Sequence, residues 1–290
     1  MKQRVLSSRI IHTDDTKVKL IDHTIRGTRT ARFWAYLGDK DNPYEVYDFT
    51  PTRERAGPEK FLATFSGYLQ ADAYSCYDGI YLNSTGAIIE AACWAHTRRY
   101  WYKARENDSV RAHHVLAVIS RLYEIERACK DRDADFRLAQ RTEHAAPLLN
   151  DLKTWLDKEV FLPKSLIGKA ATYTLNQWIA LNRYLEDGEL SIDNNAAERS
   201  MKPVAIGRRN WLFVGSPEAG GRAAILMSLI ASCKSCEAEP WAWLRDTLTQ
   251  LPRNTPPELL LPDTWLQTHP QLRWTIAQRR RNERHKKGDL

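Results

Sequence analysis

The sequence predicts an α/β fold whose strand-forming parts are separated by a long all-helical insertion. Three observations carry this expectation. Runs of β-branched and aromatic residues recur through the first 95 positions with turn residues between them. From His96 to about Leu190 the apolar residues fall instead at helical spacing. After residue 190 a mixed segment returns, rich in acids, amides and arginines.

In order, residues 9 to 21 read as a first strand that carries the acids Asp14 and Asp15. Residues 31 to 37 (Ala-Arg-Phe-Trp-Ala-Tyr-Leu) give a second, closed by the turn cluster Gly38-Asp39-Lys40-Asp41-Asn42-Pro43. Residues 44 to 49 give a third, which Pro51 stops. Residues 58 to 65 have helical spacing and end near Gly67. A short strand over 68 to 72 follows, with Asp72 at its C-terminal end, and residues 87 to 94 make a fifth. In the insertion, one helical face holds Val115, Val118, Ile119, Leu122 and Ile125. A second holds Leu148, Leu149, Leu152, Trp155 and Leu156, and a third Leu175, Trp178, Ile179, Leu181 and Leu185. Helices are expected again over 219 to 233 and from Pro240 to about residue 251. The prolines at 252, 256, 257 and 262 mark the end of the compact region. The expected organisation is a first α/β part (8 to 95), the helical insertion (96 to 190), a second α/β part (191 to 262) and a basic tail (263 to 290).

Composition narrows the class. With 43% hydrophobic and 27% charged residues in 290, the chain can bury a sizeable core. No apolar run approaches the ~20 residues of a membrane helix, and the N-terminus lacks the apolar region of a signal peptide. Five cysteines, an odd number, fit a reducing compartment better than a disulfide framework, so a cytoplasmic protein is expected. Residues 271 to 290 hold seven Arg/Lys against two acids, so they supply +5 of the net charge of +7. The body is nearly neutral, and the tail suits either non-specific phosphate binding or plain solvation.

The densest chemistry lies in residues 191 to 215. Asp193 and Asn194 are short side chains suited to starting a helix, supported by Asn195. Glu198 then falls in the first turns of a helix that Pro203 ends or kinks. Arg199, Lys202, Arg208 and Arg209 stand close by in sequence and suit a phosphate backbone. Two roles for Glu198 are open at this point. Asn195-x-x-Glu198 has capping-box spacing, and a carboxylate among cations also suits a metal. Asp14 or Asp15, Asp72 and Glu198, separated by 58 and 126 residues in the first case, could together hold two Mg²⁺ ions, because hard cations prefer oxygen ligands. Two such metals can activate a hydroxyl and stabilise the leaving oxygen of a phosphodiester displacement.

Several runs carry a family resemblance. They are His12-Thr13-Asp14-Asp15-Thr16, Gly67-Tyr68-Leu69-Gln70-Ala71-Asp72-Ala73-Tyr74, Cys93-Trp94-Ala95-His96-Thr97-Arg98-Arg99 and Leu122-Tyr123-Glu124-Ile125-Glu126. The most specific are Asp193-Asn194-Asn195-Ala196-Ala197-Glu198-Arg199-Ser200-Met201-Lys202-Pro203 and Gly207-Arg208-Arg209-Asn210-Trp211-Leu212-Phe213. Over about residues 8 to 262 the chain resembles the transposases of the IS66 insertion-sequence family. The resemblance implies a DDE catalytic domain of ribonuclease H-like fold, with a mixed sheet, flanking helices and an all-α insertion before the last catalytic acid. It implies Asp14 (in Asp-x-Thr), Asp72 and Glu198 as the catalytic, metal-holding acids, with Asp78 a weaker rival of Asp72. It further implies Mg²⁺ (or Mn²⁺), transposon-end and target DNA, a homo-oligomer on DNA, and accessory proteins of the same element. Family members usually carry upstream regions that recognise transposon ends, and this chain begins almost at the first catalytic strand. Ala73 stands where a glycine is expected. A silent DNA-binding or regulatory partner of a full-length transposase and a structure-specific nuclease are the other functions weighed.

Three smaller features complete the reading. Cys93-x-x-His96 and Cys233-x-x-Cys236 have four-ligand zinc spacing, yet buried free thiols are the expected outcome. Arg98 and Arg99 are candidates for phosphate contact. Residues 211 to 214 (Trp-Leu-Phe-Val) are expected to form a core strand, with base stacking as the alternative.

Overall fold

A computed structural model describes residues 1–22, 24, 27–275, 277–278 and 281. The chain divides into two compact units, one of residues 1–65 with 200–290 and one of residues 66–199. The expected basic run from 278 onward lies almost wholly outside the described residues. Within each unit helices accompany strands, and both antiparallel and parallel pairings occur, so the class is α/β with mixed strand directions.

The first unit opens with α1 (Lys2–Leu6) and a meander of β1 (Ile10–Ile21), β2 (Thr28–Leu37) and β3 (Glu45–Thr50). β1 pairs antiparallel with β2, setting Asp14 opposite Ala35 and Asp15 opposite Trp34, and β2 pairs antiparallel with β3. α2 (Ala56–Leu62) follows. The second segment of this unit gives α11 (Lys202–Trp211), β6 (Phe213–Val214), α12 (Pro217–Ser235), α13 (Pro240–Gln250) and α14 (Pro262–Thr268). Alternate residues of the strands (Val18, Leu20, Ala31, Phe33, Ala35, Tyr47, Phe49) bury against Met201, Val204, Val214 and Ala224. α12 lies along β3 and satisfies its free edge with two serines. Ser228 Oγ accepts from Tyr47 N at 2.8 Å, and Ser232 Oγ donates to Glu45 O at 2.9 Å. Gly220 permits this approach, because a Cβ there would sit 2.5 Å from the Phe49 ring.

The second unit holds β4 (Gly67–Gln70) and β5 (Ile88–Ala91), a parallel pair linked through α3 (Asp78–Asn83). Then come α4 (Trp94–Ala104), α5 (Ser109–Ala128), α6 (Ala134–Gln140), a π-helical turn (Arg141–Ala145), α7 (Ala146–Lys158), α8 (Leu166–Asn176), α9 (Trp178–Asn182) and α10 (Asn195–Ser200). Asp108 and Ser165 cap α5 and α8, accepting from Arg111 N and Gly168 N. The first two expected faces bury Val115, Ile119 and Leu122, and Leu149, Leu152 and Leu156.

Several expectations need correction. The third helical face does not exist as one face. α8 ends at Asn176, so the phase is reset before α9; of the expected residues Leu181 is buried and Ile179 exposed, and Ala171, Thr174, Ala180 and Tyr184 are buried as well. Residues 211 to 214 do not make a core strand. Trp211 closes α11, Leu212 takes a φ of 62° that ends the helix, and the strand shrinks to two residues with Phe213 exposed. The short helix that carries Glu198 ends at Ser200, just before Pro203 as expected, and Pro203 itself stands in the first turn of α11, where its missing N–H costs nothing. Pro262 likewise starts α14, whose Trp265 and Leu266 pack with Cys233, Ala238 and Trp243, so ordered packing continues beyond residue 262.

Candidate functional site

The second unit builds its acidic centre at the end of β4, the start of α4 and the start of α10. Gln70 is buried, and its Nε2 donates to Ala92 O at 3.2 Å and Ser191 O at 2.7 Å, tying the end of β4 to the loop before α10. Trp94 N donates to Ile192 O at 3.1 Å, and Asn194 N to the Cys93 sulfur at 3.2 Å. Asp193 starts α10: its carboxylate accepts from Asn195 N at 3.0 Å, Asn195 Nδ2 at 2.7 Å and the Tyr123 hydroxyl at 2.8 Å. Asn194 is buried, and its carbonyl accepts from Glu198 N at 3.2 Å. The three residues Asp193, Asn194 and Asn195 thus fix the helix start from which Glu198 projects.

Glu198 does not close a capping box, because the Asn195 amide belongs to Asp193. Its Oε1 pairs instead with the Arg99 guanidinium and lies 3.6 Å from His96 Nε2. Arg99 Nη2 also stands 3.1 Å from that ring nitrogen. A guanidinium only donates, so this contact is a hydrogen bond when Nε2 is the unprotonated ring nitrogen. Burial, then the Arg99 charge, push the His96 pKa below its ordinary value, in keeping with that state; Glu198, Asp72 and Asp193 pull the other way. His96 Nδ1 is buried with no hydrogen-bond partner among the described residues. Asp72 follows β4 by two residues and contributes to this field, whereas Asp78 stands exposed in the first turn of α3 and acts on Glu90.

In the first unit the neighbours Asp14 and Asp15 point to opposite faces of β1. Asp15 is committed: its side chain is 3% exposed, 2.8 Å from Arg53 Nη2 and 3.0 Å from Arg32 Nη1. Asp14 is half-buried and accepts from Asp15 N at 2.8 Å. Among the described residues no group of three or more His, Cys, Asp or Glu side chains is arranged to hold a metal ion.

The basic residues sort by environment. Arg98, Arg99, Arg199, Lys202 and Arg209 are exposed. Arg208 is occupied, its Nη1 donating to Thr16 Oγ1 at 2.9 Å and Lys17 O at 2.8 Å, so it fastens α11 to β1. Cys93 belongs to the second unit and Cys233 and Cys236 to the first; all three are buried thiols. Burial pushes Cys93 up to about 11 and Cys236 up to about 12, the protonated state of structural thiols.

Two features escaped the sequence. Arg141, 1% exposed at the π-helical turn, forms a two-pronged pair with Glu126 (2.8 and 2.7 Å) and donates to the carbonyls of Tyr184, Asp187 and Leu190. With Tyr123 on Asp193, it explains why Tyr123 and Glu126 stand three residues apart on α5: both hold the segment that leads to Glu198. The second is a cleft of about 750 Å³ within this unit, lined chiefly by α4 and α5 and containing Glu198.

A family model described as "Transposase IS66 family" matches residues 1–222, and one described as "IS66 C-terminal element" matches residues 228–262. The matched class is therefore a DNA-transposition protein. The chain belongs to the IS66 transposase family. Relatives from Sinorhizobium fredii include uncharacterized protein y4hP, 32% identical over 91% of this chain and 52% of its own length, and uncharacterized protein y4jD, 33% identical over 88% and 53%. The chain spans about half the length of the curated relatives it matches. No helix among the described residues is long and apolar enough to cross a membrane.

Proposed function

We propose that this chain is the catalytic part of a DDE transposase with a ribonuclease H-like fold, cutting and joining DNA strands at transposon ends with divalent metal. The observation that carries the reading is the state of Glu198. It is presented by a purpose-built helix start, left out of the capping box, and held by a single exposed arginine beside a neutral histidine. Asp72 acts on the same histidine. On β1, Asp15 is paired with Arg32 and Arg53, and Asp14 is the acid this reading assigns to the metal.

Asp14, Asp72 and Glu198 are hard oxygen donors of the kind Mg²⁺ or Mn²⁺ takes, and these residues would hold the metal. Bound there, the metal would supply activation of water or a 3′-hydroxyl and neutralise charge on the reacting phosphate. The chain's own contribution is electrostatic. Arg99 answers the Glu198 charge and, exposed beside it, would also offer its guanidinium to a phosphate. Arg98, Arg199, Lys202 and Arg209 hold the DNA backbone. Homo-oligomers on DNA and accessory proteins of the same element complete the proposed assembly, which works in the cytoplasm at the nucleoid.

The test is strand cleavage and joining on transposon-end DNA with Mg²⁺, comparing wild type with Glu198→Gln. Metal-dependent cleavage and joining that the variant lacks is the expected result. Cleavage without joining would point to a nuclease, and no cleavage by wild type would leave a silent DNA-binding partner as the function.

A further inference from the structure

The cleft between α4 and α5 joins Arg98, Arg99 and Glu198 of the proposed site to Tyr102, Arg105 and Arg127, to which that reading gives no role. On α4 and its C-cap residue Arg105 the wall is Arg98, Arg99, Tyr102 and Arg105, one face at three- and four-residue spacing. The opposite face of the same helix, Trp94, Thr97, Trp101 and Ala104, is buried in the unit's core. On α5 the facing wall includes Tyr123 and Arg127. Four arginines therefore meet one carboxylate, Glu198, and Arg99 already answers it. Arg98, Arg105 and Arg127 make no salt bridge among the described residues. Arg105 is held in place without losing its charge: its Nε donates to Tyr102 O at 2.9 Å and its guanidinium lies 3.4 Å over the Tyr102 ring. The Tyr102 side chain is half exposed.

We infer that this cleft is a binding channel for a single DNA strand, leading its phosphates past Arg105, Arg127 and Arg98 to Glu198. The inference rests on the transposase reading and names the form of substrate that the second unit takes. Three features select a single strand. Arg98 and Arg105 lie two turns apart on one helix, about 10 Å, so the cations follow a line as a backbone does. They line a concavity of about 750 Å³ between two helices, whose wall a flexible single strand can follow and a stiff duplex cannot. The half-exposed Tyr102 ring, with the Arg105 guanidinium 3.4 Å from its centre, offers a stacking surface, which an unpaired base can use and a paired base cannot.

The experiment measures binding of a labelled oligothymidylate and of a duplex by fluorescence anisotropy, without divalent metal, across a salt series. The double variant Arg105→Gln/Arg127→Gln is expected to bind the single strand at least about tenfold more weakly. Its slope of log affinity against log salt should fall by about 1.4, two phosphate contacts at about 0.7 each. Tyr102→Leu should weaken the single strand and leave the slope unchanged, since stacking releases no counterions. Arg121→Gln, on another face of α5, should change nothing. Photocrosslinking of a 5-iodouracil oligonucleotide to Tyr102 of the wild-type chain gives a readout that needs no variant to fold. Unchanged single-strand affinity of the folded double variant, or absence of a Tyr102 crosslink, overturns the inference; an equal loss for duplex overturns the single-strand assignment. Because binding is read without metal, a chain that binds here but never cleaves removes the catalytic reading alone. One that cleaves while the double variant binds like wild type removes the channel alone.

Discussion

Two arginine–carboxylate pairs in the helical unit use the same chemistry to opposite ends. Arg141 and Glu126 are 1% and 16% exposed, and the arginine spends every donor on the carboxylate and three carbonyls. Arg99 and Glu198 are 54% and 33% exposed and open into a basic cleft. In the first pair desolvation has already been met by saturated hydrogen bonding, so separation leaves a buried charge and orphaned carbonyls. In the second, water screens both charges and either partner can be exchanged for a ligand. Burial, not residue type, separates the clamp from the working pair.

The largest effect expected from this contrast is at the clamp. Arg141→Met should lower unfolding stability by about 3–5 kcal/mol, because it strands Glu126 and frees the segment from Tyr184 to Leu190. Chemical denaturation reads this directly, and a loss under about 1 kcal/mol would place Arg141 with the exchangeable pairs. Tyr123→Phe is the intermediate case. It removes one of three donors to the Asp193 carboxylate while keeping the ring, so a loss of about 1.5 kcal/mol is expected. Catalytic loss beyond what that stability change explains would show that Asp193 also sets the position of Glu198.

Asp48 in the other unit tests the rule with a carboxylate that has no close cation to saturate it. Burial pushes its pKa above the ordinary carboxylate value of 3.8, against a pull downward from the Phe49 amide and then Lys2 and Lys60. A raised folded pKa means that the acid form is the one the fold favours. Its contribution is fully present below 3.8 and is lost as pH rises through the folded value. Asp48→Asn should therefore raise Tm near neutral pH, with the gain disappearing at about pH 4; a gain that is flat with pH would trace the effect to packing rather than charge.

The same contrast explains what was legible in the chain. Alternation over β1 to β3 and helical spacing in α5 and α7 are local, and the corresponding elements form. Glu198 and its neighbours could be singled out because the helix start and the acid lie within six residues. Arg141 and Glu126 lie 15 residues apart on separate helices, and nothing local pairs them. The α4 wall of the cleft was half legible, since Arg98 and Arg99 stood out and Arg105 follows two turns later. Its α5 wall depends on helix packing, which no spacing along one segment encodes. Pro203 and Pro262 show the limit of punctuation: Pro203 follows the end of α10 and also begins α11, and Pro262 begins α14 where an end of packing is expected, because the residue that cannot continue a helix is well placed to begin one.

The smallest stability effect is the most discriminating. Glu198→Gln keeps the shape and one acceptor oxygen and removes the charge that Arg99 answers. With both partners a third or more exposed, the pair contributes little, and stability should change by no more than about 0.5 kcal/mol. Loss of metal-dependent cleavage in a variant that unfolds like wild type would then assign the whole effect to chemistry. The clamp variant should show the reverse order, with stability falling first and activity only as a consequence. If Glu198→Gln instead unfolds as readily as Arg141→Met, the open pair is structural after all. The carboxylate that the helix start presents would then be holding α10 to α4 rather than waiting for a ligand.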